Sequence, residues 1–159
     1  MNQRSRQPVS AFVGIGANLG DAVHAVKQAI VDLGTLPQTS LLRHSSLYKT
    51  APLESSGPDY VNAVAEVATT LSPRALLVAM QGLEQAAGRE RPYPNAPRTL
   101  DLDILLFGGE TLSMPDLVIP HPRMTARAFV LLPLAELVPG RVSAMQLRAV
   151  ADQAVTRIA

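Results

Sequence analysis

The sequence predicts an α+β fold in which helices cover a mostly antiparallel sheet. Segments with strand-like alternation and segments with helical spacing follow one another in the order β-α-β-β-α-β. Two helices that cross between strands of such a sheet are typical of the ferredoxin-like pattern. We therefore expect a ferredoxin-like βαββαβ core with additional C-terminal helices, in three α/β/α layers. At 159 residues the chain is most simply one domain over 9–159, after a disordered lead-in over 1–8.

The first strand and the first helix are predicted from the N-terminal part of the chain. Residues 9–16 form an apolar run that breaks into a glycine-containing turn at 16–20. A helix is expected from about Asp21 to a stop at Gly34. Its inward residues at helical spacing are Val23, Val26, Ile30 and Leu33.

The middle of the chain predicts two more strands and a second helix. Residues 40–49 are expected to form one strand that ends near Tyr48, and 60–70, rich in valine and threonine, the next. Ser72 is the expected N-cap of a helix that has proline in its first turn and stops at Gly88. This helix is expected to bury Leu76, Met80, Leu83 and Ala87.

The last third begins with a polar, proline-broken loop over 89–97, followed by a strand. A turn at Gly108-Gly109 is expected to lead into a short strand. Thr125 is the expected cap of a helix through Leu132, where Pro133 interrupts it. The final helix is expected to start at Ser143 and to turn inward Leu147, Val150, Ala154 and Ile158.

Asp101 and Asp103 are predicted to share one face of the strand over 98–106. Side chains two apart in a strand point the same way, so the two carboxylates lie roughly 7 Å apart at ~3.3 Å rise per residue. Leu105 and Phe107 are expected on that face too. The opposite face is expected to be formed by Leu100, Leu102, Ile104 and Leu106. Mg²⁺ typically takes one or two carboxylates together with phosphate oxygens. The alternative is an edge strand with a solvated polar face.

Arginines are concentrated near this strand. The chain has twelve arginines and two lysines, and five arginines fall in the loops that flank it: Arg89, Arg91, Arg98, Arg123 and Arg127. Guanidinium groups match phosphate geometry and stay charged, so a carboxylate pair beside them suits a metal-bound polyphosphate. A solvated basic loop is the alternative. The chain contains neither a Walker A motif nor the complete glycine-rich dinucleotide motif.

Bulk composition narrows the class of protein. The formal net charge is +1, which gives no case for nucleic acid or membrane binding. There is no cysteine, so disulfides and thiolate metal sites are excluded. No apolar run approaches ~20 residues, and the N-terminus lacks the apolar core of a signal peptide. A soluble cytoplasmic protein, acting as a monomer on small molecules, is expected.

Four segments resemble one family in its own order along the chain. NAPRTLDLDILLFG resembles the signature of 6-hydroxymethyl-7,8-dihydropterin pyrophosphokinase, a folate-pathway enzyme. FVGIGANLGD, LYKTAPLESSGPDYVNAV and VIPHPRMTARAFVLLPL resemble the family's opening strand and turn, pterin-pocket segment, and Pro-His loop with its helix. The resemblance implies transfer of pyrophosphate from ATP to the pterin hydroxymethyl group, with AMP as the other product. It also implies two Mg²⁺ held by Asp101 and Asp103.

The resemblance implies roles for residues on the ATP side. Arginines in and at the end of a mobile third loop, which clamps the phosphates, are matched by Arg89, Arg91 and Arg98. His121 and Arg127 match further catalytic and ATP-side residues, although His121 taken alone is more often an ordinary loop histidine. Polar positions near the nucleotide are matched by Gln81 and Glu84, for which a structural role is the alternative.

The resemblance also implies a pterin pocket. Tyr60 and Phe129 match two aromatics that sandwich the ring, although both would otherwise be read as core residues. Asn62 carries donors and acceptors that complement the pyrimidinone edge of a pterin. Backbone groups at Thr50 and Leu53 match positions that complete the recognition.

A second function from another class is a non-catalytic ferredoxin-like module that binds a nucleotide or metal and regulates a partner. A binding module has no need of both substrate sites. The chain retains the residues that match both: Asp101, Asp103, Arg98, His121 and Asn62. We therefore take the enzyme as the leading hypothesis.

Overall fold

The computed structural model describes residues 7–18, 20–51, 59–88 and 100–158. The elements in chain order are β1 (Val9–Ala17), α1 (Ala22–Leu33), β2 (Thr39–His44), β3 (Tyr48–Thr50), β4 (Tyr60–Thr69), α2 (Pro73–Gly88), β5 (Asp101–Phe107), β6 (Leu112–Met114), β7 (Leu117–Ile119), α3 (Ala128–Leu137), α4 (Ala144–Ala149) and β8 (Val155–Arg157). Short 3₁₀ turns at Met124–Ala126 and Pro139–Arg141 flank α3. None of the helices in this part of the chain is both long and apolar enough to span a bilayer.

The main sheet has the strand order β5-β1-β4-β3-β8, with β2 also paired to β4, and every pairing is antiparallel. The α1 and α2 helices follow β1 and β4, as the ferredoxin-like pattern requires. That prediction is confirmed. A separate two-stranded sheet is formed by β6 and β7.

Alternation along the strands gives the sheet two apolar faces. On one face Val13 of β1 and Ala65 of β4 share a core with Ile30 of α1 and Met80 of α2. The other face buries a second apolar cluster against α3. These are the three predicted layers, and they leave one end of the α3 face open.

The predicted strand over 40–49 is divided in two by Ser45. This serine is 1% exposed, and its N–H donates to the Val64 carbonyl at 2.8 Å. Its Oγ accepts from the Val64 N–H at 2.9 Å, so a side chain replaces a normal strand partner. The strand is therefore interrupted between β2 and β3, although both segments pair with β4.

The alternation predicted for the aspartate strand is correct through Leu105 and wrong after it. The pairing of β5 with β1 shifts register so that Phe12 lies opposite Leu106 and Val13 opposite Ile104. Leu105 is therefore an extra residue of a β-bulge, which reverses the facing of the residues after it. Leu106 packs in the α3-side core and Phe107 in the α1/α2-side core, each opposite to expectation.

The predicted cap and break of the third helix are both wrong. Thr125 lies in the 3₁₀ turn before α3, and the helix begins after Arg127. The free Ala128 N–H donates to Gln153 Oε1 at 2.9 Å, which supplies the missing cap from a distant segment. Pro133 lies inside the helix, because burial of its neighbours Leu131 and Leu134 offsets the lost backbone hydrogen bond.

The last helix begins as predicted but is shorter than predicted. Ser143 caps α4 and forms a capping box with Gln146. The helix ends at Ala149, and the residues expected to extend it form β8, which pairs with β3. Ala154 and Ile158 are therefore not helical. A strand at this position covers the open edge of β3, which a longer helix would leave unpaired.

Glu136 of α3 joins the helix to the β2–β3 connection. Its carboxylate accepts hydrogen bonds from the Ser46 N–H at 3.0 Å, the Ser46 hydroxyl at 3.0 Å and the Tyr48 hydroxyl at 2.8 Å. Burial alone would raise the pKa of Glu136, but the bonds from Tyr48 and Ser46 outweigh it and hold that pKa below the usual range. Burial, together with the bond to Glu136, raises the pKa of Tyr48 to about 12.

We expect Glu136→Ala to lower the free energy of unfolding by ~2 kcal/mol at neutral pH, since it removes hydrogen bonds to a charged group. A carboxylate with a lowered folded-state pKa stabilises the fold above its unfolded pKa, and that stabilisation is lost as the pH falls through the folded value. The difference between wild type and variant should therefore shrink below about pH 4.5, the ordinary pKa of the group. Urea unfolding from pH 7 to 3 measures this, with Glu136→Gln as the charge-only control. A difference that stays constant across this range would contradict it.

Candidate functional site

A cavity of about 380 Å³ opens on the α3 face of the sheet. Its floor is formed by β1, β4 and β5, and its far wall by the segment from His121 to Val130. The lining includes eight of the site residues predicted from the sequence: Thr50, Tyr60, Asn62, Asp101, Asp103, His121, Arg127 and Phe129.

Register places the floor residues in two rows across the three strands. Gly16 of β1 lies between Asn62 of β4 and Asp101 of β5. Gly14 lies in the same way between Val64 and Asp103. Neither glycine adds a side chain to the floor: the Leu105 side chain lies over Gly14, and the Asn62 amide lies beside Gly16. Close approach of a neighbouring group is a common reason for glycine inside a strand.

The carboxylates of Asp101 and Asp103 stand on the cavity side of β5, and both residues are exposed. Across the ranges that the structure describes, no group of three histidine, aspartate or glutamate side chains could hold a metal. Two carboxylates without a third protein ligand fit Mg²⁺, which usually completes its shell with water and substrate phosphate oxygens. The donor set therefore suits a cation that arrives with a polyphosphate.

The outer edge of β5 positions two further residues, because among the described residues this strand pairs only with β1 in the main sheet. The Leu102 N–H donates to Glu84 Oε2 of α2 at 2.7 Å. The His121 N–H donates to the Leu105 carbonyl at 3.0 Å. The same strand therefore carries the aspartates and fixes the backbone of His121 beside the cavity.

His121 is held in one tautomer. The Arg123 N–H donates to His121 Nδ1 at 3.1 Å, so the neutral ring carries its proton on Nε2. Burial lowers the pKa of His121, and the charges of Arg127 and Arg123 lower it further, while Asp103 opposes them. The imidazole is therefore a neutral Nε2–H donor at neutral pH.

Two arginines line the wall next to His121. The Arg127 guanidinium lies 5.4 Å from the centroid of the Phe129 ring, a cation–π contact. Arg123 is exposed at the rim. The two arginines provide positive charge opposite the carboxylate pair, and Phe129 provides an aromatic face there.

Asn62 has an unused donor. The residue is 5% exposed, and its Nδ2 is buried without a hydrogen-bond partner in the described part of the chain. An unpaired buried amide donor is costly, and an acceptor on a ligand would satisfy it. A Cβ on Gly16 would come within 3.0 Å of Asn62 Oδ1, so the glycine leaves the amide its place.

The remaining predicted residues divide into three groups. Thr50 lines the cavity, and its hydroxyl donates to the Ala154 carbonyl at 3.1 Å, so the proton of that hydroxyl is already used. Gln81 is exposed on α2, and neither it nor Glu84 lines the cavity. Four predicted residues lie outside the described residues: Leu53, Arg89, Arg91 and Arg98.

The sequence analysis assigned no site role to Gly14 or Gly16, and it included Arg123 only as one of the five clustered arginines. The two glycines alternate within an apolar strand, and that alternation is the signal that could have identified them. Arg123 was one of the clustered arginines, but nothing in its own spacing distinguished it from a solvated residue.

A family model described as 7,8-dihydro-6-hydroxymethylpterin-pyrophosphokinase (HPPK) matches residues 12–139. The 2-amino-4-hydroxy-6-hydroxymethyldihydropteridine pyrophosphokinase of Pseudomonas aeruginosa is 46% identical over 129 residues, which cover 80% of each chain. The protein of the same name from Haemophilus influenzae is 43% identical over 130 residues, 81% of each chain.

Solved structures resemble the fold. Plasmodium falciparum HPPK-DHPS, solved as the wild type with pterin and p-hydroxybenzoate, superposes with a TM-score of 0.67 at 14% identity. The match covers 87% of this chain and 41% of the Plasmodium chain. This chain therefore spans about two fifths of that protein, and at this identity the likeness concerns the fold.

Proposed function

Since this chain belongs to the 7,8-dihydro-6-hydroxymethylpterin-pyrophosphokinase family, we propose that the cavity over β1, β4 and β5 is where its two substrates meet. The chain is an ATP-dependent pyrophosphokinase that transfers pyrophosphate from ATP to hydroxymethyldihydropterin in folate biosynthesis. The observation that carries the location is one cavity lined by a carboxylate pair, cationic side chains and a buried, unpaired amide. The regulatory-module alternative is not favoured.

We assign two Mg²⁺ to Asp101 and Asp103. When bound, the ions would neutralise the charge of the triphosphate and polarise the oxygens around the β-phosphorus. The two aspartates would hold them from one side, and the substrate phosphates would complete their shells. Both carboxylates are exposed on the cavity side of β5, which leaves them accessible to such a shell.

The phosphates of ATP would lie between the aspartates and the wall that carries His121 and Arg127. The neutral His121 Nε2–H donates to an oxygen without adding charge, and Arg127 supplies the positive charge. The resemblance adds Arg89, Arg91 and Arg98 as phosphate-clamping arginines. It also places Gln81 near the nucleotide. Gln81 is exposed on α2, so its side chain is accessible to a nucleotide that binds from solvent.

The pterin would lie over Gly16 against Asn62. The unpaired Nδ2–H donates to an acceptor on the ring edge, and the ring stacks between Tyr60 and Phe129. Backbone groups at Thr50, and at Leu53 by resemblance, complete the edge.

Chemically, the hydroxymethyl oxygen of the pterin loses its proton to solvent and bonds to the β-phosphorus, while the bond from that phosphorus to the oxygen bridging it to the α-phosphorus breaks and AMP leaves with that oxygen. Such transfers need little covalent help from protein, so positioning and charge stabilisation supply most of the rate. Asn62 and Phe129 fix the nucleophile, while Arg127 and His121 stabilise the oxygens on which charge builds up.

We expect Gly16→Ala to weaken pterin binding roughly tenfold, about 1.4 kcal/mol, because the new Cβ would press on Asn62 Oδ1 and overpacking costs of this size are usual. Gly14→Ala is the matched control, since its Cβ would meet only the movable Leu105 side chain at 3.3 Å. Its effect should be smaller. Calorimetric titration with hydroxymethylpterin in the presence of an ATP analogue measures both. Equal weakening by the two variants would contradict the role of the Asn62 amide.

The function itself is tested by AMP formation. The purified chain with ATP and Mg²⁺ should release AMP only when 6-hydroxymethyl-7,8-dihydropterin is added, in a 1:1 ratio to pterin pyrophosphate. ATP binding without AMP release would favour the regulatory module. We also propose that the active form is a cytoplasmic monomer, which size-exclusion chromatography with light scattering tests for oligomeric state and cell fractionation for location.

A further inference from the structure

The segment that carries the two aspartates is part of an edge strand. Leu102 stands between Asp101 and Asp103 and lies opposite Ile15 in the pairing of β5 with β1. Its N–H points away from β1, because it donates to Glu84 of α2. On this outer edge β5 has no strand partner in the main sheet among the described residues, and it makes single hydrogen bonds there with Glu84 and His121. An edge without a continuous strand partner has more freedom to shift.

Glu84 holds that edge at Leu102, three residues before the bond from His121 to Leu105. Its Oε2 lies 2.7 Å from the Leu102 nitrogen, a short distance typical of a charge-assisted hydrogen bond. The helix behind it is firmly seated, since Leu76 and Met80 of α2 are buried in the same core as Leu102. The carboxylate therefore ties the backbone between the two aspartates to a fixed element of the fold.

Glu84 and the two aspartates lie on different faces of the sheet. Glu84 does not line the cavity, while Asp101 and Asp103, the neighbours of its backbone partner, both do. It reaches β5 from the α1/α2 side of the sheet, whereas the aspartates stand on the α3 side.

We propose that Glu84 is a positioning residue for the carboxylate pair: by holding the Leu102 N–H it fixes the spacing and orientation of Asp101 and Asp103 for the cations. The inference rests on the proposed function of that pair. It differs from the nucleotide contact that the resemblance implies for Glu84, because the residue acts through the β5 backbone and not on ATP.

Three substitutions of Glu84 test the length of its side chain separately from its charge. Glu84→Gln keeps an acceptor oxygen at the right distance but removes the charge, while Glu84→Asp keeps the charge but is one methylene too short. Glu84→Ala removes both. Gln85→Ala, at the exposed neighbouring position of α2, is the matched control. The readout is the Mg²⁺ concentration at half-maximal binding of a non-hydrolysable ATP analogue, measured by calorimetry, with urea unfolding of each variant alongside.

We expect this Mg²⁺ midpoint to rise about tenfold in Glu84→Asp and Glu84→Ala, the lower end of the effect usual for residues that orient metal ligands. Glu84→Gln and Gln85→Ala should keep the wild-type midpoint. At saturating Mg²⁺ all four should bind the analogue like wild type.

Two results would overturn the proposal. If Glu84→Asp lowers stability but leaves the Mg²⁺ midpoint unchanged, the bond is only structural. If Glu84→Gln weakens the analogue at every Mg²⁺ concentration, the charge acts on the nucleotide itself. Failure of the proposed function would look different: wild type would form no AMP with pterin, whatever the variants of Glu84 do to Mg²⁺ binding.

Discussion

Replacing Asp103 by alanine is expected to lower kcat by at least about 10²-fold at saturating Mg²⁺, the size usual for removal of one stabilising group at a transition state. Asp103 stands on the cavity floor opposite Gly14, and its side chain is exposed. Its removal leaves no hole in the core and relieves repulsion with Asp101. The free energy of unfolding should therefore stay the same or rise.

The measurement is steady-state AMP formation over a range of Mg²⁺, paired with urea unfolding. Asp152→Ala is the matched control, because it removes the same charge from an exposed turn far along the chain. That variant should behave like wild type in both assays. Wild-type turnover by Asp103→Ala at saturating Mg²⁺ would falsify the metal assignment.

Asn62→Ala is expected to weaken pterin binding by one to two decades. The amide donor is buried and unpaired in the described protein, and its loss would leave polar groups of the bound ligand unpaired at ~1–3 kcal/mol. Affinity for an ATP analogue should hardly change, because we propose that the phosphates bind on the aspartate and arginine side. Titration of Asn62→Ala with the ATP analogue is the control for its titration with pterin.

The unpaired donor of Asn62 also predicts how Asn62→Ala affects stability. Most substitutions of a buried polar residue destabilise a protein, because they leave partners without hydrogen bonds. Here Nδ2 has no partner to lose in the described part of the chain, so the free energy of unfolding should fall by less than about 1 kcal/mol. Calorimetry and urea unfolding of the same preparation test both expectations: weaker pterin binding and a small change in the free energy of unfolding. Unchanged pterin affinity, or equal weakening of both ligands, would remove Asn62 from the pocket.

The parts of the fold that depend on local rules could be predicted from the sequence. Ser72 and Ser143 cap their helices as expected, with bonds to the backbone N–H three residues later. The alternation of Asp101 and Asp103 with leucines is also local, and it identified both the strand and its polar face. Each of these depends on residues within one turn or one strand.

The features that could not be predicted depend on contacts between distant segments. The bulge at Leu105 exists only in the register between β5 and β1, and the C-terminal strand forms because β3 offers an open edge. The α3 helix takes its cap from Gln153, 25 residues further on. No periodicity in the sequence reports such pairings.

The functional site likewise has features that the sequence predicted and features that depend on contacts between distant segments. The resemblance named Asn62, Phe129 and His121, and the structure brings all three to one cavity. The place of Gly16 beside Asn62 and the tie from Glu84 to the aspartate strand depend on register and tertiary packing. Residues whose role depends on register and tertiary packing carry no recognisable sequence motif.

The central claim is that one cavity holds the cations on Asp101 and Asp103 and the pterin on Asn62. A crystal structure with a non-hydrolysable ATP analogue, 6-hydroxymethylpterin and Mn²⁺ in place of Mg²⁺ tests it most directly, because Mn²⁺ is located by anomalous scattering. We expect two Mn²⁺ peaks bonded to the carboxylates of Asp101 and Asp103, with the pterin edge within hydrogen-bond distance of Asn62 Nδ2. Mn²⁺ peaks away from both aspartates, or a pterin bound outside this cavity, would contradict the claim.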